Sequence, residues 1–350
     1  KCIKCQKCVR CCPSNKTSNN EAYLEGMPNK LYFLAYNKDN AVRRASSSGG
    51  TCKTLIINSL KQGLVDGVYT LRKLATYPSG EGAFFTKDNI PSYDELANSV
   101  YHSVMIGSNI DKVQKCDRLM IVGTSCQLRA LEVALKGKYK ELIKVCIFCK
   151  QQKTLESTRF LAKVMGTTVP KNLNFSTRYR GEGWPGIVRV REAELPWNRA
   201  AQLPFGRRLW TVPGCNVCGD PFGMESGADI SLMDPWCIRS TNDLGETLVT
   251  VHSENGLELI KNCKDLVAEP KSYQEIKPAL GELDVWRKRS LVPYFRGENC
   301  SKDIQKAGKA EMFQRKFLMS LVETLPALPI FFYRVIFKFP DLRNIHLKQK

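Results

Sequence analysis

Apolar positions along this chain switch between a strand-like and a helix-like period, and the switches lay out alternating β and α segments. LYFLAY (31–36) is an apolar and aromatic run of strand length, turned by Asn37-Lys38-Asp39. RRASSSGGTCKTLIINSLKQG reads as a loop and then a helix from about Gly50 to Lys61. Leu55, Ile56, Ser59 and Leu60 share one face of that helix, and Gly63 stops it. DGVYTLR (66–72) predicts the next strand and completes a βαβ-like unit. A looser stretch spans residues 75–115. RLMIVG (118–123) then predicts a short strand, TSCQ a tight loop, LRALEVALKGK a helix and ELIKVCIFC another strand. A helix of that length suffices for a right-handed crossover between parallel strands. GIVRVRE (186–192) alternates as a half-exposed strand, ADISLMD (228–234) reads as a buried one, and TLVTVHSENGLELIKNC gives strand, turn and helix. Near the end, AEMFQRKFLMSLVETL has helical spacing.

A length of 350 residues suggests about two domains at roughly 150 residues each. Hydrophobic residues at 43% and charged residues at 25% exclude wholesale disorder. No apolar run approaches the roughly 20 residues of a membrane helix, so an integral membrane protein is not expected. No signal peptide is visible, and the chain opens at Lys1 with its first cysteine at residue 2, so an upstream segment is expected. A net charge of +19 calls for anionic partners or cofactors. Residues 284–350 hold 14 Lys/Arg against 6 Asp/Glu, and PALPIFFYRVIFKF embeds Arg334 and Lys338 in an aromatic stretch. A peripheral membrane contact is compatible with that pattern. A tail packed on its own domain is the favoured reading.

Fifteen cysteines beside three histidines carry the chemistry. A small disulfide scaffold would be far shorter, with cysteines spread through its loops. Five of these fall in the first twelve residues, which points to thiolate metal ligands in a reducing cytoplasm. Cys2-x2-Cys5-x2-Cys8-x3-Cys12-Pro13 is the spacing of a bacterial ferredoxin run, in which short gaps let thiolates converge on a 4Fe-4S cluster. Cys11 fits no ligand position. In the interior, Cys126 follows one predicted strand and Cys149 ends another. As parallel neighbours, those strands would put both thiols at the carboxyl edge of one sheet, where open α/β sheets bind ligands. Cys215-Asn-Val-Cys218 supplies the other two thiols of a second cluster set, Cys126, Cys149, Cys215 and Cys218. The alternative is a zinc knuckle at Cys215/Cys218. Cys146 reads as core, while Cys52, Cys116, Cys237, Cys263 and Cys300 have no spacing partner.

Ser46, Ser47, Ser48, Gly49 and Gly50 precede a helix, and small residues there let amides and hydroxyls approach a phosphate. Gly123, Thr124, Ser125, Cys126 and Gln127 repeat the design, and for both loops a simple helix cap is the plainer alternative. Two such loops beside a metal cluster suggest a dinucleotide, flavin in particular. Neither is GxGxxG, so a conventional NAD site is not supported. Taken in order, RRASSSGG, KQGLVDGVYT, IVGTSCQLRAL, VCIFC and CNVCGDPFGMESGADISLMDPW resemble the coenzyme F420 hydrogenase/dehydrogenase beta-subunit family, from about Leu31 to His252. The resemblance implies an FAD-containing iron–sulfur flavoprotein that oxidises reduced F420, or uses ferredoxin electrons to reduce other substrates. It puts Ser47, Ser48, Gly49 and Gly50 near the flavin, with the four interior cysteines as cluster candidates beside it. The chain departs from the family in Thr124-Ser125, where a proline-containing loop is usual. It departs again in Lys150-Gln151-Gln152-Lys153, where deazaflavin-using members tend to carry small residues.

These readings combine into an α/β protein. An N-terminal ferredoxin-like iron–sulfur segment (1–28) precedes an α/β flavin-binding core with a mixed, partly parallel sheet (29–283) and a basic C-terminal helical extension (284–350). The expected cofactors are at least two 4Fe-4S clusters and FAD. Hydride chemistry moves two electrons and a cluster moves one, so a flavin beside a cluster interconverts the two. The expected partners are ferredoxin or a redox subunit, and a small-molecule substrate such as coenzyme F420; an oligomer is compatible. Arg178, Arg180, Lys150 and Lys153 are candidates for steering an acidic partner, and His102 and His252 for proton handling. Other readings are a ferredoxin-dependent reductase of another substrate, a non-catalytic electron-transfer subunit, or a basic zinc-containing nucleic-acid-binding protein. No nucleic-acid recognition module is evident, which disfavours the last.

Overall fold

The apolar run after Lys30 folds as a strand and joins ten others in two sheets. In the computed structural model, which describes residues 3–10, 20–200, 202–238, 242–336 and 340–347, the strands are β1 (Leu31–Asn37), β2 (Gly67–Lys73), β3 (Gly80–Thr86), β4 (Cys116–Gly123), β5 (Tyr139–Ile147), β6 (Thr177–Tyr179), β7 (Ile187–Val190), β8 (Ala193–Pro196), β9 (Ile230–Met233), β10 (Thr247–Val251) and β11 (Leu266–Lys271). Eight form one sheet in the order β11-β1-β10-β9-β5-β4-β2-β3, and β6-β7-β8 form a small antiparallel sheet. The centre of the large sheet, β2, β4, β5 and β9, is parallel, and its flanks pair antiparallel. This is a mixed α/β fold. Central strands covered on both faces read as continuous apolar runs, which is why β4 and β9 were legible.

The helix Thr51–Lys61 is buried on most of its circumference, because the sheet lies on one side and the helix Glu254–Lys261 packs on another. Gly50 caps it at φ 78°, a left-handed position suited to glycine. Gly49 lies so close to β1 that a Cβ would stand 2.6 Å from the Ala35 carbonyl oxygen. The Ser-Gly stretch is therefore fixed against the end of β1.

Several elements differ from their sequence patterns. β1 and β2 run parallel and are connected through two helices, Asn40–Ala45 and Thr51–Lys61, yet β10, β9, β5 and β4 lie between them, so the βαβ connection spans neighbours rather than joining them. The looser stretch holds an edge strand, β3, that pairs with β2 as a hairpin. β7 is buried at three of its four positions, because the small sheet is covered by an aromatic cluster that includes Trp197 and Trp210. The segment TSCQ is the first turn of the helix Ser125–Ala134 rather than a loop, and Cys149 lies just past β5 instead of within it.

At the C-terminal end, the helices Lys302–Thr324 and Ile330–Ile336 bury Leu318, Val322 and Tyr333 against Phe160 and Trp210. Phe331 and Phe332 remain exposed. No helix among the described residues is long and apolar enough to cross a membrane.

Candidate functional site

The register of two parallel strands sets the site. Gly123 of β4 pairs with Cys146 of β5, and three residues beyond each partner stand Cys126 and Cys149. Parallel pairing thus delivers both residues to the same carboxyl edge, beyond neighbouring strands. Thr124 caps the helix Ser125–Ala134 through a capping box with Gln127, which fixes Cys126 in the first turn. The Cys126 Sγ lies 3.2 Å from the Thr124 hydroxyl. The chain after Cys149 then crosses to the segment before Cys215: Val212 donates to the Gln152 carbonyl at 2.9 Å, and Lys153 bridges Thr211. This brings in the short 3-10 turn Pro213–Asn216 with Cys215, and Cys218 follows it.

Burial raises Cys149 above an ordinary thiol, and Cys215, Cys126 and Cys218 raise it further as nearby negative charges, partly offset by Lys288. The dense shell around Cys126 pushes it up to about 11, with Cys218 and Cys215 adding to the rise. Burial also raises Cys215. Yet Cys126 is solvent-reachable, and Cys149, Cys215 and Cys218 keep partial exposure. Among the described residues, no three Cys, His, Asp or Glu groups close on a single ion. The Gln152 amide donates to the Cys215 sulfur at 3.3 Å, the type of contact that tunes a thiolate-bound cluster. The donor set therefore suits an iron–sulfur cube.

Along the same edge, four strand spacings or about 19 Å from β4, lies the Ser-Gly loop after β1. Its hydroxyls are engaged within the protein. Ser46 donates to the Val42 carbonyl at 2.7 Å, Ser47 accepts from the Ser99 amide at 2.7 Å, and Ser48 donates to the Glu246 carbonyl. Among the described residues, no protein acceptor meets the amides of Ser47, Ser48, Gly49 and Gly50. Four unpartnered amides at a helix N-terminus form an anion cradle, so the loop suits a cofactor phosphate. The Gly123–Gln127 turn differs, since Thr124 and Gln127 spend their polar groups on the capping box.

Arg180 ties the Ser-Gly loop to the centre of the edge. Its guanidinium makes a two-pronged contact with Asp234 at 2.8 Å on each side and donates to the Ser47 carbonyl at 3.0 Å. It lies near the rings of Trp197 and Trp236, and the Trp184 indole also donates to Asp234. Asp234 stands two residues past the β9 residue that pairs with Ile147, level with Cys149. Arg180 and Lys153 are buried, Lys150 is paired with Asp284 and Arg178 with Glu182. The cations expected to steer a partner are thus internal or neutralised.

Of the N-terminal run, Cys2 and Cys12 lie outside the described residues, as does the side chain of Cys8. Cys5 is exposed between Lys4 and Gln6, both with left-handed φ, so the backbone coils there before the turn Lys7–Arg10. Cys146 is buried in the core, as its position in the strand indicated. His102 touches the Pro78 carbonyl and stacks among Tyr77 and Tyr179, while His252 meets Ser231. Burial lowers the two rings to about 4 and about 3, with Lys30 adding to the second, so both are neutral packing groups near neutrality. A cavity of about 390 Å³ lies elsewhere, on the β3 flank between Arg72, Phe84 and Lys112.

Known proteins place this architecture. Residues 32–90 match the coenzyme F420 hydrogenase/dehydrogenase beta subunit, N-terminal part, and residues 116–274 match its C-terminal part. The chain belongs to this family. A chain of the F420-reducing NiFe hydrogenase complex from Methanosarcina barkeri, in a xenon derivative, superposes with a TM-score of 0.53 at 17% identity. The match covers 81% of this chain and 92% of that one. No curated protein matches. Within this beta-subunit family member, the cysteine run of the first twelve residues lies outside both matched regions, as does everything after residue 274.

Sequence reading missed Asp234 and Lys288. Asp234 carried a signal as the acid ending a buried strand. Lys288 carried none, because in ELDVWRKRS it reads as one more solvent-facing cation. The fold instead turns it inward onto the carbonyls of Cys215 and Cys218.

Proposed function

We propose that this chain is an iron–sulfur flavoprotein oxidoreductase. It exchanges electrons between a hydride carrier such as coenzyme F420 and one-electron carriers, ferredoxin or the clusters of a partner subunit. The observation that supports this reading is the register that carries Cys126 and Cys149 to one carboxyl edge, together with the Val212–Gln152 and Lys153–Thr211 pairing that draws the Cys215 turn towards it. In it, the four thiols hold a 4Fe-4S cluster, and the amides of residues 47–50 hold the phosphates of FAD. Cys5 and Cys8, with Cys2 and Cys12, hold a second cluster that leads electrons towards the partner.

The chain's own residues position and insulate. Arg180 locks the Ser-Gly loop to Asp234, so the cradle and the carboxyl edge keep a fixed relation. Tyr101, Trp197 and Phe205 pack against one another beside Arg180 and limit water access. The Gln152 amide and the Cys126 helix turn orient sulfurs. A bound flavin would supply the step from paired to single electrons. No acid or base of the chain is needed for that conversion, which agrees with two buried, neutral histidines.

Anaerobically purified protein tests the reading. The expected result is iron and acid-labile sulfide for two cubanes, broad absorption near about 400 nm and flavin bands, with the interior share lost in Cys149→Ser. Reduced F420 and reduced ferredoxin, offered separately, identify the donor. A colourless protein that binds zinc in place of iron overturns the proposal.

A further inference from the structure

Two lysines enclosed beside the interior thiols have no carboxylate of their own among the described residues. Lys153 is fully buried. Its Nζ donates to the Pro204 carbonyl at 2.7 Å, to Gln151 Oε1 at 2.9 Å and to the Leu209 carbonyl at 2.9 Å. Thr211 Oγ1 at 3.4 Å is a fourth acceptor, so the pocket is built to receive every proton an ammonium carries, while burial and the nearby Arg208 and Arg315 push this amine well below the ordinary lysine range. Lys288 is 2% exposed and donates to the carbonyls of Cys215, at 2.9 Å, and Cys218. Arg208 and Arg315 stand close by and share Glu311. Arg315 also holds Asn216, between the two cysteines, at 2.8 Å.

Enclosing an ammonium without an anion costs several kcal/mol per ion, so this concentration of cations calls for negative charge. Burial, with Arg208 beside both and Arg315 beside Lys153, lowers both lysines, and the groups that pull the other way are the thiols, Cys149 and Cys215 on each and Cys218 on Lys288. Four thiolates around a cubane carry net negative charge, and that charge grows by one when the cluster accepts a single electron from its donor, with no bond made or broken. A fixed cation nearby favours the reduced form.

We propose that Lys153 and Lys288 are built-in counter-charges that raise the reduction potential of the interior cluster. The inference rests on the reading of Cys126, Cys149, Cys215 and Cys218 as its ligands. It extends that reading to residues that act through charge and bind no metal. Lys288 lies outside the family-matched region, so the chain after residue 274 contributes to the redox site.

The test is an EPR-monitored redox titration of the anaerobically purified full-length protein. Cys5→Ser and Cys8→Ser are introduced so that only the interior cluster reports, and iron is assayed in parallel. Lys153→Met and Lys288→Met are each expected to retain iron and to disfavour reduction at least tenfold, about 59 mV for one electron. Lys153→Arg and Lys288→Arg should restore most of the potential. Iron-replete Met variants at the parent potential overturn the inference while leaving the ligand assignment intact. A parent protein without interior iron overturns both, and the separate iron assay shows which has failed. Should Lys288→Met release iron, Lys153→Met carries the measurement, because its ammonium touches no proposed ligand. If both Met variants lose iron, retention in the Arg variants supports the charge role and loss there overturns it.

Discussion

Single residues at this site are constrained by burial more than by solvent chemistry. His102 shows the consequence for pH. Burial holds its ring at about 4 in the folded protein against 6.5 for a free imidazole, so the unfolded chain takes up the proton first. Its contribution to stability is complete above about pH 6.5 and is lost as pH falls towards 4, by up to roughly 3 kcal/mol. Urea unfolding between about pH 7.5 and 5 should therefore show falling stability, and His102→Gln should flatten the slope. Arg180 is the opposite case, a buried cation with a dedicated anion. Arg180→Met leaves Asp234 facing an aromatic wall without its partner and should cost about 3–5 kcal/mol. Thermal unfolding checks this. A change under about 1 kcal/mol would mean that Asp234 finds another donor.

At the scale of elements, the site depends on where strands stop and what is pinned to their ends. Gly49 is closed in by the Ala35 carbonyl, Tyr36 and Glu246. Gly49→Ala must shift the Ser-Gly loop away from β1, with an expected loss of about 1–3 kcal/mol. The same change should weaken flavin retention measured by gel filtration, while Gly26→Ala, with open space around its Cβ, should leave both unchanged. The strands β1, β4 and β9 were legible as short, mainly apolar runs, and the helix Thr51–Lys61 by its one-sided apolar spacing between the Ser-Gly loop and Gly63. β3 and β11 were not. Each is an edge strand whose charged and small residues carry little apolar signal. The position of Cys126 was misread by one element because Thr124 and Gln127 form a cap by side-chain exchange, which TSCQ only hints at.

For the whole molecule, the +19 charge is the property that composition misassigns most readily. Four cations near the site are buried or paired, so the steering charge lies on the surface. Lys302, Lys306, Lys309 and Lys316 are exposed along the helix Lys302–Thr324. Electron transfer from an acidic ferredoxin should accordingly slow as ionic strength rises, because the Debye length shrinks from about 10 Å at 0.1 M to 3 Å at 1 M. Stopped-flow reduction across that range measures it. Charge reversal at Lys306 and Lys309 should lower the low-salt rate and flatten the salt dependence. A rate indifferent to salt would place the donor on a neutral face.

The sequence by itself determined the alternation of strands and helices, the family and the cysteines worth watching, because apolar periodicity and short cysteine spacings are local properties that survive without a fold. Tertiary structure decided which cysteines are drawn towards one edge. Parallel register carries Cys126 and Cys149 there, a bridge between Lys153 and Thr211 draws in the turn with Cys215, and a helix from beyond the family-matched region folds Lys288 back onto the Cys215 and Cys218 carbonyls. Those proximities depend on long-range pairing and on burial, and a lysine turned inward has the same letter as one turned to water.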